Sequence, residues 1–242
     1  MRRRFFVEHF TGTTAVIEGD TAHHLGHVLR AQSGQLYELS DGSAAWLARI
    51  ESVARNRVEF ALLDQLPTPK SAPEITLLLA VIKFDAFEWA IEKATELGVH
   101  KIVPLAAARS EKGLLAAAAK RSQRWQKILL ESSQQSRRLR IPQLDGLAKP
   151  SQSFAAQSAN FRMMLSERSD APTIRSTLPV AIPAQSRTAS LAIGPEGGWT
   201  DDELAAARAS GFQEASLGQL ILRTETAVIS ALSILNFALS PG

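Results

Sequence analysis

Three prolines within the seven residues from Pro67 to Pro73 divide this chain into two stretches that follow different hydrophobic periods. Proline locks φ and removes a backbone donor, so no helix or central strand continues through Leu66-Pro67-Thr68-Pro69-Lys70-Ser71-Ala72-Pro73. Upstream, apolar residues alternate over short runs, the period of strands with one buried face. These runs are Thr14 to Glu18, Gln35 to Leu39, Ala44 to Val53 and Arg57 to Leu63. Gly12, Gly19, Gly34 and the Asp41-Gly42 hairpin signal punctuate them, and only Thr21 to Arg30 reads as a short helix. Residues 1–66 are expected to form a small β-barrel domain, residues 67–74 a linker, and residues 75–242 a second domain.

Past the prolines the period changes. Ile75 to Ile82 reads as a buried strand, while Phe84, Phe87, Ile91, Ala94 and Leu97 share one helical face that Gly98 closes. Further strands are expected at Ile102 to Leu105, Phe161 to Leu165, Ser190 to Gly194 and Ala215 to Leu217. Helices are expected within Leu114 to Arg138, at Thr200 to Ser210 and at Glu225 to Leu239, with Trp89 and Trp125 as core anchors. The segment holding Pro172, Pro179 and Pro183 reads as an exposed loop. Strands alternating with helices specify an α/β domain with a mostly parallel sheet.

Composition removes several function classes. The 242 residues include no cysteine, which excludes a disulfide framework, a thiolate metal site and a cysteine nucleophile. Ile75 to Ile82 is the longest apolar run and is too short to span a membrane. No signal-peptide core follows Met1-Arg2-Arg3-Arg4, so a cytoplasmic protein without a membrane partner is expected. Charge is unevenly spread: residues 101–149 carry 11 Lys/Arg against 3 Asp/Glu, whereas residues 188–242 carry 2 against 6. Arginine outnumbers lysine 19 to 8, and its planar fork suits phosphate. That distribution suggests a polyanion partner, or simply a solvated helix face.

Two segments near the C-terminus carry the chemistry. In Ile193-Gly194-Pro195-Glu196-Gly197-Gly198-Trp199-Thr200 a strand runs into a glycine-rich turn, and Thr200 with Glu203 has capping-box spacing for the helix that follows. In Leu217-Gly218-Gln219-Leu220-Ile221-Leu222-Arg223-Thr224 the pattern repeats, with Thr224 expected as N-cap and Glu225 near the helix's positive end. Neither matches a dinucleotide fingerprint or a P-loop. Two glycine turns at the carboxyl ends of strands make a crevice whose polar groups are mostly backbone, which suits an uncharged purine and ribose better than a triphosphate.

These residues, with Arg2-Arg3-Arg4-Phe5-Phe6-Val7, His23-His24-Leu25-Gly26-His27-Val28-Leu29-Arg30, Glu92-Lys93-Ala94-Thr95-Glu96-Leu97-Gly98-Val99 and Arg124-Trp125, resemble the bacterial 16S rRNA uridine N3-methyltransferases of the SPOUT superfamily. The resemblance covers nearly the whole chain, and its most specific motifs are GPEGGWT and LGQLILRTETA. Ala108, where the family often has glutamate, and Arg137, where it usually has a small residue, depart from the pattern. The resemblance implies a PUA-like RNA-binding barrel followed by an α/β SPOUT domain with a C-terminal trefoil knot. It also implies a homodimer acting on 16S rRNA of the small ribosomal subunit. S-adenosyl-L-methionine is expected to contact Ile193, Gly194, Pro195, Glu196, Gly197 and Gly198, together with Leu217, Gly218, Leu222, Thr224 and Thr226.

Uracil N3 carries a proton, so its methylation needs a base and in-line alignment. Glu225 and Glu196 are the candidate bases, and Arg223 the candidate stabiliser of charge on the uracil oxygens. Each has an alternative reading: Glu225 as a helix-end charge, Glu196 as a turn carboxylate, Arg223 as a partner of a carboxylate between loops. No metal is required, and His23, His24 and His27 lack the partners of a metal site. Arg2, Arg3, Arg4, His24, Arg30, Arg109, Arg137, Arg138 and Arg140 are the candidate RNA contacts. A ribose 2′-O-methyltransferase of the same superfamily and a non-catalytic RNA-binding protein remain as alternatives.

Overall fold

The computed structural model describes residues 3–67, 72–178 and 187–239. Arg2, residues 68–71 of the proline-rich linker, and Pro179 and Pro183 therefore lie outside the described residues. The chain divides into two compact units, Met1–Lys70 with Ser133–Ile141, and Ser71–Ser132 with Pro142–Gly242.

The first unit is a five-stranded sheet of β1 (Arg4–Phe6), β2 (Thr14–Glu18), β3 (Leu36–Ser40), β4 (Ala45–Ala54) and β5 (Arg57–Gln65), ordered β1-β3-β4-β5-β2. All ladders are antiparallel except β1 with β3, and register shifts in β4 curl the sheet. Its core buries Phe5, Ile17, Leu25, Leu39, Ile50 and Phe60. The expected helix is split into α1 (Gly19–His23) and a π-helical turn, His24–Val28, before Arg30 takes φ +51°. Strand β1 has only three residues, too few for a period to declare it.

Residues 133–141 join this unit although they follow the other unit's Ser71–Ser132, a departure from a single cut at the prolines. Polar ties explain it. Arg4 Nη1 donates to the Arg137 carbonyl at 2.7 Å, Ser40 Oγ to the Leu139 carbonyl at 2.7 Å, and Arg140 Nε to the Gly42 carbonyl. Glu38, nearly buried, pairs with Arg4 at 2.9 Å and with Arg137 at 3.5 Å.

The second unit is a six-stranded, wholly parallel sheet, ordered β11-β9-β10-β6-β7-β8. Its strands are β6 (Glu74–Ala80), β7 (Lys101–Leu105), β8 (Gln143–Leu144), β9 (Phe161–Leu165), β10 (Thr188–Ile193) and β11 (Gln213–Ala215). Its helices are α2 (Phe84–Glu96), α3 (Lys112–Gln135), α4 (Pro150–Ala155), α5 (Ile174–Thr177), α6 (Asp201–Ala209) and α7 (Thr224–Leu239). Along β6 the residues alternate between faces: Ile75, Leu77 and Leu79 pack with Ile91, Trp125, Val228 and Leu232, whereas Leu78 and Ala80 pack with Phe154, Trp199 and Leu204. A parallel strand covered on both faces reads as an unbroken apolar run, which is why Ile75 to Ile82 was legible.

Several details differ from expectation. The short elements β8 and α4 interrupt what periodicity left unassigned, β11 lies two residues earlier than expected, and a four-residue helix, α5, occupies part of the expected loop. Trp125 is a core residue, but Trp89 is 42% exposed because it sits off the Phe87–Ile91 face of α2.

Arg4→Ala removes one of the two cations facing Glu38 and a tie to residues 133–141. It should lower the unfolding free energy by about 2–4 kcal/mol, read by urea denaturation. Wild-type stability would show that this network does not hold the segment.

Candidate active site

A cleft of about 420 Å³ opens at the carboxyl ends of the neighbouring strands β10, β9 and β11. That is the usual ligand position in an open parallel sheet, and the volume is within the range of small-molecule sites. Three loops wall it: Gly194–Trp199 after β10, Ser216–Leu222 after β11, and Ser166–Arg168 after β9. The loop after β9 carries no motif and was not anticipated.

Trp199 joins two of these loops. Its buried indole Nε1 donates to the Leu165 carbonyl at the end of β9, at 3.0 Å. The ring also lies against Gly194, where an added Cβ would stand 3.0 Å from it, so a side chain here needs the indole to move by a few tenths of an ångström. The expected capping box is present: Thr200 Oγ1 accepts from the Glu203 N–H at 3.3 Å, and Glu203 Oε2 accepts from the Thr200 N–H at 2.9 Å. Glu203 Oε1 additionally accepts from the Ala108 N–H at 2.8 Å. Arg109, expected to face RNA, lines the cleft and donates from Nη1 to the Gly197 carbonyl at 2.7 Å.

In the loop after β11, Ser216 Oγ accepts from the Gly218 N–H at 3.1 Å and donates to the Gly218 carbonyl at 3.0 Å. Gly218 has φ +133°, and a Cβ there would meet no atom within 4 Å. Among the described residues, the backbone N–H groups of Leu220, Ile221 and Leu222 have no protein partner. Leu220 and Ile221 are exposed and Leu222 is half-buried, so these donors stand open to a ligand's acceptors. Thr224 is not the cap: the Ala227 N–H bonds the Arg223 carbonyl at 2.9 Å, placing Arg223 at the helix start. The Thr224 hydroxyl instead donates across the cleft to the Gly194 carbonyl at 3.3 Å.

Of the expected cofactor contacts, Ile193, Gly194, Pro195, Gly197, Gly198, Leu217, Gly218, Leu222 and Thr224 line the cleft, whereas Glu196 and Thr226 do not and are exposed. Arg223 is exposed and Glu225 half-buried, both at the first turn of α7, and among the described residues neither has an ion-pair partner. The mouth holds an unanticipated charge cluster in which Arg168 pairs with Asp170 at 3.2 Å and Asp201 at 3.4 Å. Hydrogen bonding to Asp170 holds the Arg168 guanidinium above its ordinary value.

Several expected RNA contacts serve the fold. Arg4, Arg137 and Arg140 make the ties of the first unit, and Arg138 donates from Nε to the Arg140 carbonyl at 3.0 Å. Burial pushes Arg138 down to about 10. Arg3 and Arg30 are exposed and His24 is half-buried. The basic surplus of residues 101–149 is partly neutralised, since Arg124 and Arg121 face the buried Glu88 at 2.6 and 3.4 Å, and Lys101 pairs with Asp145 at 2.7 Å. Among the described residues no three His, Asp or Glu side chains are grouped to hold a metal, and His23 stacks on His27 at 4.4 Å. No described helix is long and apolar enough to cross a membrane.

A parallel sheet with a backbone-lined cleft, preceded by a curled β unit, defines the class. The RNA methyltransferase domain family matches residues 69–236, and the RNA methyltransferase PUA domain family matches residues 17–63. More narrowly, the chain belongs to the family of ribosomal RNA small subunit methyltransferase E. It is 33% identical to that protein of Synechocystis sp. over 95% of this chain and 75% of the relative, and 30% identical to that of Bacillus subtilis over 93% and 90%. Among solved structures, the Neisseria gonorrhoeae ribosomal RNA small subunit methyltransferase E bound to S-adenosyl methionine is similar with a TM-score of 0.85 at 29% identity. The putative methyltransferase Lpg2936 of Legionella pneumophila, in complex with the cofactor SAM, is similar at 0.84 and 30%, and each match covers 98% of both chains.

Gly194→Ala pushes a methyl group into the Trp199 indole and should cost about 1–3 kcal/mol of stability, read by chemical denaturation. A neutral effect would show that the indole has room to move.

Proposed function

We propose that this protein transfers a methyl group from S-adenosylmethionine to N3 of a specific uridine in 16S rRNA. The observation that carries the reading is the cradle of unpartnered N–H groups at Leu220, Ile221 and Leu222 beside the glycine turn of β10. The two similar solved structures named above, from Neisseria gonorrhoeae and Legionella pneumophila, hold that cofactor.

The cleft's donor set suits that cofactor. Ile193, Leu217 and Leu222 offer apolar flanks to a purine, the Leu220–Leu222 amides offer donors to its ring nitrogens and ribose oxygens, and the Arg168 cluster offers charge to its amino-acid end. Bound there, the cofactor supplies an activated methyl group on sulfur. The chain must then remove the N3 proton and hold the uracil in line with that methyl. Glu225 and Glu196 remain the candidate bases; Glu225 is favoured because it adjoins Arg223 at the start of α7. Arg223 is exposed, has no carboxylate partner among the described residues, and stands where the α7 N–H groups concentrate positive potential. It stabilises negative charge as it develops on the uracil oxygens.

The first unit holds the RNA, with Arg3, His24 and Arg30 as its best-placed contacts. The protein works as a cytoplasmic homodimer with a knotted second unit. The resemblance supports both, and the exposed Leu220, Ile221 and Phe237 supply apolar surface for a partner.

Arg223→Ala should lower the single-turnover methylation rate about 10²–10³-fold with RNA affinity nearly unchanged. A near-normal rate with weakened cofactor binding would make Arg223 structural. Gly218→Val fills the open space of the cleft at a φ unsuited to valine and should abolish calorimetric binding of S-adenosylmethionine. Nucleoside digestion of the product should yield 3-methyluridine; ribose-methylated nucleoside would establish the 2′-O reading, and no methylated product the non-catalytic one.

A further inference from the structure

Two glycines in succession admit many backbone conformations, so the Gly197–Gly198 part of the cleft wall takes its shape from its contacts. The peptide plane between them carries the Gly197 carbonyl at one edge and the Gly198 N–H at the other. That N–H donates to the Pro195 carbonyl at 2.8 Å, and Gly198 has φ +69°. The carbonyl accepts from Arg109 Nη1 at 2.7 Å. The plane is thus pinned from both sides, and one pin comes from a distant part of the chain.

We propose that Arg109 is a positioning residue that sets the orientation of the Gly197–Gly198 peptide and so keeps the glycine turn shaped for the cofactor. The inference rests on the cofactor reading of the cleft only for its functional consequence. Three features support it. The Arg109 methylenes run along Gly197, with Cβ and Cδ at 3.4 and 3.5 Å from where a glycine Cβ would stand, so the side chain and the turn are matched in shape. The backbone beside Arg109 is itself fixed: the Ala108 N–H is held by Glu203 Oε1 at 2.8 Å, and the Ser110 N–H bonds the Ala107 carbonyl at 3.0 Å. The other oxygen of Glu203 caps α6, which begins where the glycine turn ends. One carboxylate therefore sets the start of α6 and the base of Arg109 together, so that Arg109 reaches Gly197 in one register.

Arg109 is exposed, and its replacement leaves the core intact. In the unliganded protein, Arg109→Ala should make the Gly198 amide exchange with solvent about tenfold faster, the equivalent of one charge-assisted hydrogen bond lost. Arg109→Lys, which keeps a donor, should restore most of the protection. In calorimetry Arg109→Ala should weaken S-adenosylmethionine binding about tenfold, while the salt dependence of RNA binding stays at the wild-type slope. Unchanged Gly198 exchange in Arg109→Ala would overturn the proposal, and a reduced salt slope alongside it would assign Arg109 to RNA. Faster exchange in a protein whose wild-type form binds no S-adenosylmethionine would leave the pinning standing and remove the cofactor reading instead.

Discussion

The hydrogen bond from the Trp199 indole to the Leu165 carbonyl is the contact on which the cleft depends. Leu165 ends β9, and Trp199 lies in the loop that follows the neighbouring parallel strand β10. Gly194 lies against that ring, and its carbonyl accepts from the Thr224 hydroxyl at the start of α7. The edge-on contact with Phe154, at 5.8 Å between centroids, seats the same ring on the second core. From this point the start of α6, the Glu203 carboxylate and the loop carrying Arg109 follow in succession.

A wall built this way recognises a ligand through main-chain groups. Side chains hold the loops in place while carbonyls and N–H groups face the cleft, so shape and donor placement discriminate ligands more than charge does. The arginines divide in a comparable way. Arg4, Arg121, Arg124 and Arg137 face carboxylates of the fold, whereas Arg3, Arg30 and Arg223 stand exposed, so the basic composition overstates the surface available to a polyanion.

Much of this was legible in the chain before its structure. Elements long enough to repeat a period several times, such as β6, α2 and α3, lie within a few residues of expectation, and the Thr200–Glu203 spacing announced a capping box that is present. The two glycine turns marked two of the three cleft walls. What could not be read depends on contacts between residues far apart. The wall after β9 has no distinguishing composition, and its place follows from strand order. The seating of residues 133–141 depends on Arg4 and Ser40 reaching carbonyls 133 and 99 residues away. Thr224 has the composition of a cap, but its hydroxyl is taken by Gly194. The contact of Arg109 with the Gly197 carbonyl, 88 residues distant, has no signature in the sequence either.

The central claim is that main-chain donors of the loop after β11 bind the cofactor. The most direct test follows the backbone amides of Leu220, Ile221 and Leu222 by NMR while S-adenosylmethionine is titrated into the intact protein. The account predicts that these amides shift together with saturation and gain protection from exchange, since they lack protein partners beforehand. Saturable binding that leaves all three amides unchanged would contradict it.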